Sequence, residues 1–187
     1  MNQSKRYFCF GLGYTGLRLA RKLATDGWLV AGTTRFSDKS HQLESEGIQA
    51  FIFRSDQVFE QPETILAGVT HLLISIPPDK RADAVYHSCH QVITALPDLK
   101  WVGYLSTTGV YGDHGGEWVD ETTPTKATDE RVSARIKAEQ AWLSLVEKGV
   151  PVHIFRLAGI YGPGNSAIER MQSGAARRII KQDHVFS

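Results

Sequence analysis

The chain contains 187 residues, a length that fits one domain or slightly more and excludes a large multidomain assembly. Apolar residues make up 42% and charged residues 22%, and 21 Lys and Arg nearly cancel 20 Asp and Glu. This balance excludes a disordered tail and gives no electrostatic basis for nucleic-acid binding. The two cysteines, Cys9 and Cys89, are typical of reduced core thiols, and no apolar run approaches a membrane span. We therefore expect a cytoplasmic protein that binds neither membranes nor nucleic acid.

Short apolar runs alternate with longer helix-like stretches, which is the pattern of a parallel sheet covered by helices. The predicted strands are 7–10, 28–33, 48–53, 71–76, 101–106 and 152–155. The predicted helices are 14–26, 37–46, 79–96, 129–148 and 166–180, and residues 107–128 form a long loop of the kind that usually carries function. The sequence therefore predicts an α/β fold with a doubly wound parallel sheet of the Rossmann type.

A glycine-rich motif, Gly11-Leu-Gly-Tyr-Thr-Gly16, joins the first predicted strand to the first predicted helix. Gly11 allows a tight turn, Gly13 lets backbone amides approach a pyrophosphate, and Gly16 allows the helix to pack closely on the sheet. The amino end of the helix, at Tyr14 and Thr15, adds partial positive charge for the phosphates. The motif predicts a dinucleotide-binding site.

The end of the second predicted strand indicates which dinucleotide would bind. An NAD site is expected to place an acidic residue about 20 positions after the glycines, to bind the ribose hydroxyls. This chain has Thr33, Thr34 and Arg35 there, and hydroxyl and guanidinium groups suit a 2′-phosphate. The alternative for Arg35 is an ordinary exposed loop arginine. The sequence therefore favours NADP as the cofactor, with NAD as the second candidate.

Several segments together resemble the short-chain dehydrogenase/reductase superfamily, in its extended, epimerase/dehydratase-like branch. They are the glycine motif, Leu105-Ser-Thr-Thr-Gly-Val-Tyr-Gly112, Lys137, and Arg156-Leu-Ala-Gly-Ile-Tyr-Gly-Pro163. The resemblance implies an NAD(P)-dependent oxidoreductase or epimerase/dehydratase that acts on a carbonyl or hydroxyl of a small molecule, for which a sugar is one candidate. It also implies that residues 1–165 form the dinucleotide-binding domain. Residues 166–187 would then begin a small C-terminal substrate domain that is mostly missing.

The resemblance assigns roles at the reaction site. Thr107 takes the position of the residue that binds the substrate oxygen, and Lys137 that of the lysine that holds the nicotinamide ribose. The family's catalytic tyrosine lies four residues before this lysine, where this chain has Ser133. A serine hydroxyl is a far weaker acid than a phenol, so another group is expected to supply the proton. Tyr111 and Tyr161 are the candidates, because both lie in loops at the carboxyl ends of predicted strands, and the alternative for Tyr111 is that it only packs or lines the site.

Two functional hypotheses stay open at this stage. The first is an NADP-dependent enzyme with Thr107 and Lys137 in its site, and the second is a non-catalytic sensor or scaffold that binds a dinucleotide. Gly159 replaces the asparagine of the family's last motif, which makes a nucleotide-sugar substrate less expected. His87 and His90 lack further matching ligands, so we expect no metal site. The expected partners are a small-molecule substrate and a second copy of the chain in a homodimer.

Overall fold

The structure is a computed structural model that describes residues 5–79 and 82–175. Its strands are β1 Arg6–Phe10, β2 Leu29–Thr34, β3 Gln49–Ile52, β4 His71–Ile74, β5 Trp101–Thr107 and β6 Val152–Leu157. They form one parallel sheet in the order β3-β2-β1-β4-β5-β6, so the strand order reverses between β1 and β4. This topology confirms the predicted doubly wound α/β sheet of the Rossmann type, whose ligands lie at the carboxyl edge beside the reversal.

Helices cover both faces of the sheet. In the described parts of the chain the α-helices are α1 Tyr14–Thr25, α2 Ser37–Ser45, α3 Pro62–Ile65, α4 Ala84–Thr94, α5 Glu130–Leu143 and α6 Ala167–Gln172. Short 3-10 helices follow β5 at Thr108–Tyr111 and α5 at Val146–Lys148. None of the helices described is long and apolar enough to cross a membrane.

The alternating side chains of β1 build two separate cores. Phe8 and Phe10 lie in the larger core, with buried residues of α4 and α5. Tyr7 and Cys9 lie in the smaller core, which α1 and α2 cover. Full burial of a phenylalanine stabilises the fold by about 1.5–3 kcal/mol. A strand segment that is buried on both faces must be largely apolar, and residues 7–10 of β1 meet that requirement.

Two α-helices are shorter than predicted. The predicted helix 79–96 begins at Ala84, because the Asp83 carboxylate caps it by accepting a hydrogen bond of 2.8 Å from the Tyr86 amide. The predicted helix 129–148 ends as an α-helix at Leu143 and continues only as a 3-10 turn before Gly149. Helix α3 was not predicted at all, since its four residues are too few to show a period.

The last described helix is shorter than the predicted stretch 166–180. It ends at Gln172, and Gly174 then adopts the left-handed conformation with φ of +69°, which commonly terminates a helix. Residues 176–180 of the predicted helix lie outside the described residues. The predicted domain boundary at residue 165 stays a prediction.

Candidate functional site

The glycine loop crosses from the carboxyl end of β1 to α1, and its three glycines have different environments. Gly11 has a φ of +94°, and a Cβ there would lie 2.8 Å from Cγ1 of Ile76. A Cβ on Gly16 would lie 2.6 Å from both the Cys9 Sγ and the Gly11 carbonyl oxygen. A Cβ on Gly13 would meet nothing within 4 Å. Packing therefore requires glycine at 11 and 16, whereas Gly13 leaves open space where a ligand can approach the backbone.

Thr33 fastens this loop to the end of β2. Its Oγ1 accepts a hydrogen bond of 2.9 Å from the Gly11 amide, and its carbonyl oxygen accepts one of 2.8 Å from the Leu12 amide. The sequence pattern predicts that the Thr33 hydroxyl helps to bind a 2′-phosphate. In the structure this side chain is buried and supports the glycine loop. Thr34, the last residue of β2, does not support the loop in this way. Its Oγ1 accepts a weak hydrogen bond of 3.4 Å from the Phe36 amide.

The partial positive charge at the amino end of α1 is not compensated by a capping or acidic side chain. Its N-cap residue, Gly13, makes no side-chain capping hydrogen bond, and the first turn contains no acidic residue. The amides of the first turn, including those of Tyr14 and Thr15, have no partner within the helix. Their partial positive charge is therefore available to an anion. The Tyr14 side chain has another role, because its hydroxyl donates a 3.1 Å hydrogen bond to the Pro163 carbonyl.

A cleft of about 420 Å³, here called the β2 cleft, lies between the glycine loop, the end of β2 and α2. Arg35 and Lys39 are the cations among its described lining residues, and Asp79 is the carboxylate. The Lys39 Nζ donates a 2.6 Å hydrogen bond to the Leu12 carbonyl, while the Arg35 guanidinium lies 5.6 Å from the ring centre of Phe36. Sequence reasoning missed Lys39, which lies in the first turns of α2 after Arg35.

A second cleft of about 280 Å³, here called the β5 cleft, adjoins the first along the carboxyl edge of the sheet. Ser75 and Pro77 line both clefts, so the two form one trough that passes the glycine loop. Thr107 and Thr15 line the β5 cleft, and the Thr107 Oγ1 accepts a 3.2 Å hydrogen bond from the Gly109 amide. The structure thus brings Thr107 to the same edge as the glycine motif.

The β5 cleft also contains Arg135 of α5, which sequence reasoning did not select. Its Nη1 donates a 2.8 Å hydrogen bond to the Leu105 carbonyl. Ser133 and Lys137 line a different cleft, of about 760 Å³, which contains Tyr86 of α4. Side chains two positions apart on an α-helix differ by about 200° in direction, so Arg135 lies on a different face of α5 from Ser133 and Lys137. The structure therefore groups Thr107 with Arg135, and the roles assigned to Ser133 and Lys137 stay predictions.

A buried ion pair braces the β5 cleft from behind. The Glu139 carboxylate accepts hydrogen bonds from Arg156 Nη2 at 2.9 Å and Nε at 3.2 Å, and from the Ser106 hydroxyl. These bonds raise the pKa of the Arg156 guanidinium. That guanidinium lies 4.8 Å from the ring centre of Tyr111, which is only 7% exposed. The contacts give Tyr111 a packing role, and its role as an acid stays a prediction.

Comparisons with known proteins agree with the Rossmann-type fold. Residues 6–151 match the family model of the NAD binding domain of 6-phosphogluconate dehydrogenase. The chain is 32% identical to Protein YeeZ of Escherichia coli K12 over 174 residues, which cover 86% of this chain and 60% of that protein. The chain thus spans about 60% of the length of the curated relatives it matches.

Two solved structures extend the comparison. A conserved protein of unknown function from Silicibacter pomeroyi DSS is 43% identical, with a TM-score of 0.83 over 98% of this chain and 62% of that one. A structure described as a candidate NAD-dependent epimerase/dehydratase from Methylobacillus flagellatus is 26% identical, with a TM-score of 0.69 over 92% of this chain and 59% of that one.

The chain belongs to the family of the NAD binding domain of 6-phosphogluconate dehydrogenase. It is a Rossmann domain whose cofactor is a nicotinamide dinucleotide. The observed residues fit that group, because Gly13 leaves space for a pyrophosphate and the amino end of α1 carries no acidic side chain.

Proposed function

We propose that this chain is the cofactor-binding part of an NADP(H)-dependent oxidoreductase of the extended short-chain dehydrogenase/reductase type. Its substrate would be a small molecule with a carbonyl or hydroxyl group. The observation that carries the proposal is the trough along the carboxyl edge of the sheet. It runs from Arg35 and Lys39 at the end of β2, past the glycine loop, to Thr107 at the end of β5. An extended dinucleotide with a reactive end beside a substrate-binding hydroxyl needs this order of groups.

The residues of the trough suit the successive parts of the cofactor. Arg35 and Lys39, with the Thr34 hydroxyl, would hold the 2′-phosphate, because cations bind phosphate by charge-assisted hydrogen bonds. The backbone at Gly13 and the first-turn amides of α1 would hold the pyrophosphate. The cofactor supplies hydride chemistry when bound, and the Thr107 hydroxyl would bind the substrate oxygen. Because Ser133 and Lys137 line another cleft, the proposal does not depend on them.

Calorimetric titration with NADPH and NADH tests the cofactor assignment. We expect tighter binding of NADPH, and a loss of about 1.5–3 kcal/mol for NADPH alone in Arg35→Ala and in Lys39→Ala. The matched control is Arg21→Ala, which removes an exposed cation that pairs with Glu46 at 2.7 Å on the outside of α1. Equal affinities of the wild-type protein for the two cofactors would contradict the assignment. A loss in Lys137→Gln equal to that in Arg35→Ala would support the role that the resemblance gives to Lys137.

An assay of NADPH oxidation distinguishes an oxidoreductase from a non-catalytic sensor or scaffold that binds a dinucleotide. Oxidation of NADPH that depends on an added aldehyde or ketone, and that falls in Thr107→Val, would support an oxidoreductase with the substrate oxygen at Thr107. Thr107→Ser keeps the hydroxyl and is expected to retain the activity. Tight NADPH binding without turnover of any carbonyl compound would instead support a dinucleotide-binding sensor or scaffold.

A further inference from the structure

We propose that the β5 cleft binds a carboxylate of the substrate through Arg135, so that the substrate class is a small organic acid. This inference rests on the proposed function, since the same cleft receives the substrate oxygen at Thr107. It adds a charged group to a substrate that the fold and the comparisons leave undefined.

The first argument is that Arg135 forms no ion pair with a carboxylate of the described residues. Its charge attracts the buried Asp83 carboxylate through space, but that carboxylate accepts its hydrogen bonds from the Tyr86 amide and the Trp142 indole. The natural partner of an arginine on a helix is an acidic residue four positions later, here Glu139. Both oxygens of that carboxylate are already used, one by the Ser106 hydroxyl and both by the fork of Arg156. Among the described residues, no carboxylate lines the β5 cleft. A guanidinium in a partly enclosed cleft without a carboxylate partner favours an anionic ligand.

The second argument is that Arg135 is held in place. Its Nη1 donates to the Leu105 carbonyl at 2.8 Å, which holds that end of the guanidinium at the end of β5. A guanidinium has five N–H donors, so one such bond leaves donors for a ligand. A planar, fixed guanidinium matches a carboxylate better than a flexible ammonium does, because the two groups can form paired hydrogen bonds.

The remaining lining groups define the rest of the ligand. Hydroxyls from Thr15, Ser75 and Thr107 line the cleft and suit an oxygen of the substrate. The apolar lining residues suit a short hydrocarbon body, and they are Pro77, Leu105, Leu157, Ala158 and Ile160. The volume of about 280 Å³ lies near the lower end of small-molecule sites, which limits the ligand to a small acid.

The competing role for Arg135 is to hold the cofactor, because a guanidinium can also donate to ribose hydroxyls or to a phosphate. Phosphate already has two other places in the trough, at the amino end of α1 and beside Arg35 and Lys39. This distribution favours the substrate as the partner of Arg135. The experiment is designed to separate the two roles.

The test is a calorimetric titration of the protein, saturated with NADPH, with phenylacetate and 4-methylpentanoate and with their uncharged primary amides. The amides have the same shape and lack the charge. We expect the acids to bind at least about 10-fold more tightly than the amides, the ratio that a charge-assisted hydrogen bond supplies. Arg135→Gln should remove this preference while the NADPH affinity stays within about twofold, and Lys148→Gln, which removes an exposed cation beyond α5, should leave it intact.

Three results would overturn the inference. They are equal binding of acids and amides, no binding of either acid at millimolar concentration, and a loss of NADPH affinity in Arg135→Gln with the acid preference intact. The last result would assign Arg135 to the cofactor. If Arg135→Gln does not fold, Arg135→Lys replaces it, and a reduced acid preference at unchanged NADPH affinity is the supporting result. If NADPH does not bind to the wild-type protein, the proposed function fails, and the acid titration without cofactor then decides the present inference alone.

Discussion

The Glu139 carboxylate bonds to Arg156 of β6 at 2.9 Å, although Arg135 lies one turn earlier on the same helix. The pairing of Glu139 with Arg156 has two structural consequences. Glu139 ties α5 to β6 through Arg156 and to β5 through the Ser106 hydroxyl, so three elements meet at one carboxylate. Arg135 instead lines the β5 cleft, where its Nη1 donates a 2.8 Å hydrogen bond to the Leu105 carbonyl. The same ion pair therefore shapes the stability of the fold and the charge of the cleft.

Glu139→Ala is expected to destabilise the protein by about 3–5 kcal/mol, because it leaves the mostly buried Arg156 guanidinium without its partner. Urea unfolding measures this loss. Adding Arg156→Met to Glu139→Ala should recover part of it, since the uncompensated charge is then removed. A loss of less than about 1 kcal/mol in Glu139→Ala would show that the pair contributes little beyond an exposed salt bridge.

The glycine loop offers a matched pair of substitutions. Gly16→Ala should destabilise the fold, since its Cβ would lie 2.6 Å from the Cys9 Sγ and from the Gly11 carbonyl oxygen. Overpacking of this kind costs about 1–3 kcal/mol. Gly13→Ala places its Cβ in open space and should leave the unfolding free energy within about 0.5 kcal/mol, while it weakens NADPH binding by blocking the pyrophosphate. Unchanged NADPH affinity in Gly13→Ala would place the pyrophosphate elsewhere.

Features that depend on neighbouring residues could be predicted from the sequence. The strand before Gly11 is a continuous apolar segment, and the helix after Gly16 has a helical period. The order of strand, glycine loop and helix along the chain could therefore be predicted from local pattern alone. The bond between Thr33 and the Gly11 amide joins positions 22 apart in the chain. It depends on how β2 pairs with β1, which no local pattern shows.

The reaction site shows the other limit of sequence reasoning. The family spacing selected Lys137, whereas the structure places Arg135 beside Thr107. The direction of each side chain depends on which stripe of α5 faces the sheet, and that stripe includes the buried residues Glu139 and Trp142. The motif specifies residue types at a given spacing, but it does not specify which face of α5 packs against the sheet. A helical-period argument anchored on Trp142 would have favoured Arg135.

His71 is expected to make the stability of the fold depend on pH. Partial burial, with the nearby charges of Lys100 and Lys5, lowers the pKa of this imidazole below the value of 6.5 for the unfolded chain. The folded state therefore favours the neutral ring, and the resulting stabilisation is present above pH 6.5 and is lost as the pH falls through the lower, folded pKa. Thermal unfolding at pH 7.5 and pH 5 should show a smaller difference in His71→Phe than in the wild type. His41→Phe, at an exposed position of α2, is the control, and an equal change in both variants would exclude His71 as the cause.

The segment after β6 is attached to the helix that carries the glycine motif. The Pro163 carbonyl accepts hydrogen bonds from the Tyr14 hydroxyl at 3.1 Å and from Arg18 Nη2 at 2.5 Å, and the Arg18 guanidinium lies 4.5 Å from the Tyr14 ring centre. Arg18→Ala removes both the bond and the stacking contact, and Tyr14→Phe removes only the hydroxyl. Since each exposed hydrogen bond contributes about 0.5–1.5 kcal/mol, we expect amide exchange at Gly162 and Asn165 to accelerate by about 2- to 10-fold in each variant.

This attachment predicts a larger effect in Arg18→Ala than in Tyr14→Phe, because Arg18 makes the shorter bond and also covers the ring. Arg21→Ala, one turn further along α1, serves as the control, since Arg21 pairs with Glu46 and does not bond to Pro163. Its exchange rates at Gly162 and Asn165 should match those of the wild type. Equal rates in all three variants and the wild type would show that the segment holds its position through its own contacts, such as the bond from the Gly164 amide to Glu169 at 2.9 Å.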